Sequence, residues 1–248
     1  MIRIKTPAEL ERMRASNRLA ARLRDELADM IRPGIRTADL EEAAVEWMRR
    51  EGTRSAFKGY RGFPGHICAS VNEEVVHGIP GNRRIELGDI VSLDVGVIFE
   101  GFVGDTARTV MVGVNDPDVV RLVSVTRSAL EAALEAAQAG AHLSDISHAV
   151  ERTATEAGFS VVREFVGHGI GRRMHEEPQI PNFGPPGRGP RLKPGMTLAI
   201  EPMINLGAAD VETLADGWTV VTRDRRPSAH FEHTVAIGEA GVEILTVP

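Results

Sequence analysis

The sequence predicts an α/β chain of two similar halves related by a pseudo-twofold axis. Three observations carry that expectation: four helices are marked by their caps, they fall into two matching pairs, and the strands after each pair match as well. The first helix opens at Thr6-Pro7-Ala8-Glu9, a capping box with proline at the first helical position, and its amphipathic pattern continues to about Met30. A second follows Thr37, read as its N-cap, and ends near Gly52. Asp116-Pro117 opens a third helix, rich in Ala, Leu and Glu, running to about Gly140. A fourth follows Ser144 and ends near Gly158.

The helix pairs repeat. Gly34, Asp39 and Gly52 recur as Gly140, Asp145 and Gly158, each 106 positions later. The strand segments Leu87 to Asp94 (LGDIVSLD) and Pro194 to Glu201 (PGMTLAIE) correspond at 107, with Gly88 matching Gly195 and Asp94 matching Glu201. No Pro/Gly/Ser linker separates residues 1–113 from 114–248, so residues 1–248 read as one domain with one shared sheet and core. Such a chain has a cleft where its halves meet, and the equivalent strands present Asp94 and Glu201 towards it.

Composition bounds the function. With 248 residues, 42% hydrophobic and 26% charged, the chain suits a globular protein with a sizeable core. A net charge of −6 argues against a phosphate-neutralising nucleic-acid binder. The basic strips Arg172-Arg173 and Arg188 to Lys193 read as solvated surface. The first residues lack the apolar core of a signal peptide, and no apolar run reaches membrane-spanning length. The single Cys68 excludes an internal disulfide and fits a reducing compartment, so a soluble cytoplasmic protein is expected.

Acids carry the chemistry. Val91 to Gly113 reads as a β-hairpin turning at Glu100-Gly101. With those two residues as the loop, Asp105 faces Gly96, which shares a face with Asp94. Asp94 and Asp105 are then diagonal neighbours roughly 5.5 to 8 Å apart. Two carboxylates that close repel, and a bound cation resolves the conflict; two solvated acids on an exposed face are the plain alternative. Glu201 ends an apolar strand and Glu232 lies among alternating apolar residues, where an acid is rarely free of a partner, although each could belong to a structural ion pair. In FVGHGIGRRMHEEP, Phe165 to Pro178, the two histidines stand seven residues apart. A helix would place them about 10 Å apart along its axis. Gly169 and Gly171 disfavour a helix, and a strand sends an odd separation to opposite faces, so a shared ion is not expected. Four carboxylates with His168 suffice for two ions with bridging carboxylates, and such oxygen-rich ligation suits Mn²⁺ or Fe²⁺.

Taken together, these residues lie in segments that closely resemble type I methionine aminopeptidases of peptidase family M24, in their short bacterial form. The resemblance runs from KTPAELERMR at Lys5 to EHTVAI at Glu232 and rests on specific segments in order: GYRGFPGHICASVNEEVVHGIP, SLDVGVIFEGFVGDTART, GHGIGRRMHEEP, LAIEPM and HFEHT. It implies the pita-bread fold, two pseudo-twofold halves around a curved antiparallel sheet, without the zinc-binding extension of some relatives, the extra domain of aminopeptidase P and prolidase, or the long insertion of type II enzymes. It implies that Asp94 chelates one ion, that Asp105 and Glu232 bridge two, and that His168 and Glu201 complete the other shell. It also implies attack by a hydroxide on that dinuclear centre, with Glu201 shuttling the proton. His77 and His175 would steady the scissile amide without binding metal; taken alone, His77 reads as a structural or surface histidine.

The implied methionine pocket draws on Tyr60, Phe63, Cys68, Met174 and Trp218, alongside His77 and His175. Phe57 stands where a cysteine is frequent and Met174 where an aromatic is usual, both keeping the pocket apolar. Cys68 reads as a pocket wall, since the metal chemistry leaves no task for a nucleophile. The cofactors implied are two divalent ions, from among Co²⁺, Mn²⁺, Fe²⁺, Zn²⁺ and Ni²⁺. The implied partners are N-termini of nascent polypeptides with a small second residue. A transient ribosome encounter follows from that function and not from charge; neither nucleic-acid specificity nor a membrane is implied, and the family is usually monomeric. Two other readings compete: an X-Pro-cleaving peptidase of the same fold, and a non-catalytic peptide-binding relative.

Overall fold

The computed structural model describes residues 1–248. The first half runs α1 (Pro7–Met30), α2 (Thr37–Arg50), β1 (Arg54–Ser55), β2 (Cys68–Val71), β3 (Glu74–Val76), β4 (Ile90–Phe99) and β5 (Phe102–Met111). After α3 (Pro117–Ala136) and α4 (Leu143–Glu156) come β6 (Ser160–Val161), β7 (Gly167–Gly169), β8 (Glu176–Ile180), β9 (Thr197–Ile200) and β10 (Met203–Asn205). The chain ends with β11 (Val211–Thr213), β12 (Val220–Thr222), β13 (Ser228–His230), β14 (Glu232–Ile237) and β15 (Val242–Ile244).

The first helix has the expected cap, with Thr6 and Glu9 exchanging hydrogen bonds. Two other starts differ from expectation. Thr37 is the first helical residue of α2, and Arg36 takes the cap because the Asp39 carboxylate accepts its backbone N–H at 2.8 Å. In α4 the cap is His142 and not Ser144, for the same reason: Asp145 accepts the His142 N–H at 2.8 Å. Each aspartate acts from the third helical position, satisfying a donor that the helix itself leaves unpaired. α3 stops at Ala136, short of Gly140, whose N–H instead donates to the Leu192 carbonyl.

The main sheet has nine strands, with the path β1-β4-β5-β14-β9-β7-β8, β2 added beside β4 and β15 beside β14. Every pairing is antiparallel. The orders β2-β4-β5 and β7-β9-β14 mirror each other and join at β5–β14, so the sheet is continuous through both sequence repeats. Loop contacts repeat too: the Arg84 guanidinium donates to the Gly34 carbonyl at 2.7 Å and Arg191 to that of Gly140 at 2.6 Å.

The helices cover one face of this sheet. Leu23, Leu27 and Leu40 pack with Leu93 and Val95 in one apolar cluster, while Leu122, Ile146 and Val150 pack with Leu198 and Val235 in another. A third cluster, containing Phe57, Phe63, Cys68 and Met174, lies around the cavity that holds the acids. No helix is long and apolar enough to cross a membrane.

Candidate active site

The β4–β5 hairpin has the register expected from its two-residue loop: Phe99 faces Phe102, Gly96 faces Asp105, and Asp94 faces Ala107. Ala107 also faces Glu232 on β14, and Cys68 faces Asp94 from the other side. One row across the sheet therefore reads Cys68, Asp94, Ala107, Glu232, with Asp105 diagonal to both acids. On the neighbouring strands His168 faces Ala199, which faces Thr234, and the Thr234 hydroxyl donates to the Asp105 carbonyl at 2.8 Å. Glu201 follows β9 directly. Gly96 is required opposite Asp105, because a Cβ there would lie 2.4 Å from the Phe57 ring.

Backbone positions are fixed from behind. Thr106 donates to the Glu232 carbonyl at 2.8 Å while accepting from the buried Arg24 guanidinium at 2.8 Å. Thr109 donates to the His230 carbonyl and accepts the His230 N–H. Such bonds give the Glu232 carbonyl and both His230 backbone groups partners where β13 gives way to β14.

The result is one cavity of about 260 Å³. Its lining includes the five expected metal-site residues Asp94, Asp105, His168, Glu201 and Glu232, together with His77 and His175. Phe57, Tyr60, Phe63, Cys68, Met174 and Trp218 form its apolar side. Val76, Phe165, Val166 and Met203, which the sequence reading did not single out, complete that wall. They come from three separate segments and carry no local chemical signal.

Donor atoms of Asp105, His168 and Glu232 all lie within 4.8 Å of one another. His168 Nε2 is 3.5 Å from Glu201 Oε1 and 3.8 Å from Asp105 Oδ2. His168 Nδ1 lies 2.9 Å from the Gly169 carbonyl, which can only accept; the proton is therefore on Nδ1, and Nε2 offers its lone pair to the acids. Asp94 Oδ1, Asp105 Oδ1 and Glu232 Oε1 are buried without a hydrogen-bond partner. Burial raises Asp94 to about 7 and pushes Asp105, Glu201 and Glu232 well above the usual carboxylate range, with neighbouring acids adding repulsion for the last three. Burial likewise lowers His168 to about 3 and His77 to about 4, with His175 nearby adding to both. Burial first, and then the charges of Asp94, Asp105, Glu41 and Glu232, raise the Cys68 thiol, which suits a wall and not a nucleophile. Four acids in one cavity, three of them with an orphaned buried oxygen, and a lone-pair imidazole are incomplete without positive charge, and this oxygen-rich donor set fits divalent cations.

The two histidines of the 165–178 stretch meet more closely than simple spacing suggests. β7 and β8 form a hairpin, so the rings of His168 and His175 have centroids 4.2 Å apart. Gly169 permits this fold-back, since a Cβ there would sit 2.1 Å from the Glu177 carbonyl oxygen. His175 Nδ1 is bonded to the Tyr60 hydroxyl at 2.8 Å, with the two rings stacked. His77 packs edge-on against Phe165 and Trp218.

His230, which the sequence reading passed over, is buried with Nε2 unpartnered and 3.8 Å from Glu201 Oε2. The signal was present in HFEH: His230 and Glu232 alternate with Phe231, which belongs to the helix-side core.

The family profile of metallopeptidase family M24 matches residues 11–239. Methionine aminopeptidase 1 of Bacillus subtilis is 52% identical over 246 residues, covering 99% of each chain. The crystal structure of a methionine aminopeptidase from Thermotoga maritima superposes with a TM-score of 0.98 at 47% identity over the full length of both chains. A prolidase from Pyrococcus furiosus shares the fold at a TM-score of 0.81 and 24% identity, with 65% of its chain covered. This chain belongs to metallopeptidase family M24, among its methionine aminopeptidases.

Proposed function

We propose that this protein hydrolyses the first peptide bond of polypeptides that begin with methionine and carry a small second residue. The observation that carries this reading is the juxtaposition of four carboxylates and a lone-pair imidazole with an apolar pocket in one cavity. Phe57, Phe63, Cys68, Met174 and Trp218 offer a soft, size-limited wall to an unbranched thioether side chain.

Asp94, Asp105, His168, Glu201 and Glu232 would hold two divalent ions, with Asp105 diagonal to both Asp94 and Glu232 on the adjacent strands. When bound, the ions supply Lewis acidity towards the scissile carbonyl and make a water nucleophilic at neutral pH. Mn²⁺, Fe²⁺ and Co²⁺ suit the oxygen-rich set best, with Zn²⁺ and Ni²⁺ as further candidates. Glu201 carries the proton between attacking water and leaving amine. His175, its Nδ1 engaged by Tyr60, turns Nε2 to the substrate, and His77 offers a neutral imidazole N–H across the cavity; both donate to the amide as charge develops on its oxygen.

Every residue in this scheme comes from one chain, consistent with action as a monomer. Initiator methionine is encountered on new chains, so the setting we infer is cytoplasmic, with brief contact near the ribosome. Metal-stripped protein resupplied with Mn²⁺ or Co²⁺ should release methionine from Met-Ala-Ser peptides and spare Met-Lys peptides. Absence of release at every metal loading would refute the assignment, and preference for X-Pro bonds would replace it with another specificity.

A further inference from the structure

We infer that His230 is a positioning residue for Glu201, donating a hydrogen bond from Nε2 to Oε2 and thereby reserving Oε1 for the reacting centre. The inference rests on the functional reading above. His230 and Glu201 side chains are 2% and 14% exposed, and the two facing atoms lie 3.8 Å apart. Nε2 has no other hydrogen-bond partner. An orphaned buried N–H costs about 1 to 3 kcal/mol, so an unpartnered ring nitrogen aimed at a carboxylate points to a bond that forms in the working state.

The geometry restricts which group moves. Thr109 pins the His230 backbone through both its N–H and its carbonyl. The pairing of Met203 with His230 ties β10, just after Glu201, to β13. The longer and less buried Glu201 side chain is the freer partner. A rotation that carries Oε2 about 0.6 to 1 Å closer brings it into hydrogen-bond range. Glu201 Oε1 faces His168 Nε2 at 3.5 Å, so its two oxygens already look at different imidazoles. Towards His168 the carboxylate meets a lone pair, and towards His230 it requires a donor. An Nε2 lone pair there would repel an ionised Glu201, whereas an Nε2–H favours the ion and fixes its plane. A carboxylate held on one oxygen receives and returns a proton on the other, which is the service the reaction asks of Glu201.

The test uses full-length protein, with readouts besides activity. His230→Leu should lower kcat at saturating Mn²⁺ by about tenfold or more and weaken Mn²⁺ affinity, while KM for Met-Ala-Ser stays within about twofold. His230→Gln, which restores an N–H donor, should recover most of both losses. Wild-type kcat in the Leu variant, or equal losses in Leu and Gln variants, would overturn the inference. Imidazole ¹⁵N spectra of wild-type protein loaded with diamagnetic Zn²⁺, which keeps Glu201 ionised, give a second measurement that survives misfolding of any variant. A protonated Nε2 on His230 supports the assignment and a protonated Nδ1 refutes it. Should wild-type protein release no methionine, the functional reading fails, while the spectra and the Mn²⁺ affinities still judge His230.

Discussion

His168 and His175 have rings in contact, yet their outer nitrogens are committed differently. His168 gives its Nδ1 proton to the Gly169 carbonyl and keeps a lone pair for the acids, whereas His175 Nδ1 is bonded to the Tyr60 hydroxyl. Removing each ring should therefore have separable effects. His168→Ala is expected to lower Mn²⁺ affinity at least about tenfold, read by calorimetry on stripped protein. His175→Ala should leave that affinity close to wild type while kcat falls about 10²-fold, the usual loss for one oxyanion donor. Comparable metal loss in both variants would contradict the division of roles. The same residue-level chemistry explains Cys68: facing Asp94 across the sheet, it sits among negative charges that oppose a thiolate.

At the scale of elements, the β7–β8 hairpin carries Met174 and His175, and it is fastened by a buried ion pair to the chain before α1. Lys5 Nζ lies 2.9 Å from Glu176 Oε2, while Glu176 Oε1 accepts the N–H groups of Arg172 and Arg173 at 3.0 and 3.3 Å. Burial alone would raise the Glu176 carboxyl, but Lys5 and the two amides outweigh it and hold the group below its ordinary value. Glu176→Gln should cost about 3 kcal/mol or more in urea unfolding, because it strands the Lys5 charge. A depressed carboxylate contributes stability that is complete above its unfolded value near 4.3 and vanishes as pH falls through the lower folded value. The gap between wild type and Glu176→Gln should thus be full at pH 6 and shrink below about pH 4; a gap independent of pH would exclude the charged pair as its cause. This fastening was not legible in the sequence, since nothing local links residues 171 positions apart. The β4–β5 hairpin was legible because a two-residue loop and the period of two leave one register. The start of the second helix in each half was misplaced, by one residue in α2 and two in α4, since Asp39 and Asp145 cap from inside the helix and outcompete the hydroxyl residues. His230 shares the face of Glu232 by the period of two, but its approach to Glu201, 29 positions earlier in the chain, has no local signal.

Over the whole molecule, the acids come from both repeats: Asp94 and Asp105 from the first, Glu201 and Glu232 from the second, joined across the β5–β14 seam. Folding without cations concentrates negative charge at that seam, and stability must respond. Asp94, raised to about 7, and its three neighbours, pushed well above the usual carboxylate range, bind more protons in the folded state than in the unfolded one, whose values lie near 4. Metal-free stability through these groups therefore falls as pH rises above about 4. The buried histidines, lowered to about 3 or 4, act in the opposite sense but only below about pH 6.5, where the unfolded imidazoles take up protons. Above pH 7 the acids act alone, so the melting temperature of EDTA-treated protein should decline between pH 7 and 8.5. Divalent ions replace the missing protons and bind the folded state only, contributing about 2.7 kcal/mol at a free concentration 100 times Kd. For a chain of this size that corresponds to roughly 5 to 10 °C. Protons compete with the ions for the same oxygens, so the difference in melting temperature between Mn²⁺-loaded and stripped protein should widen with pH. Calorimetry at pH 7.0 and 8.5 checks this directly: a difference that narrows would mean that the four acids are neutralised by something other than a cation.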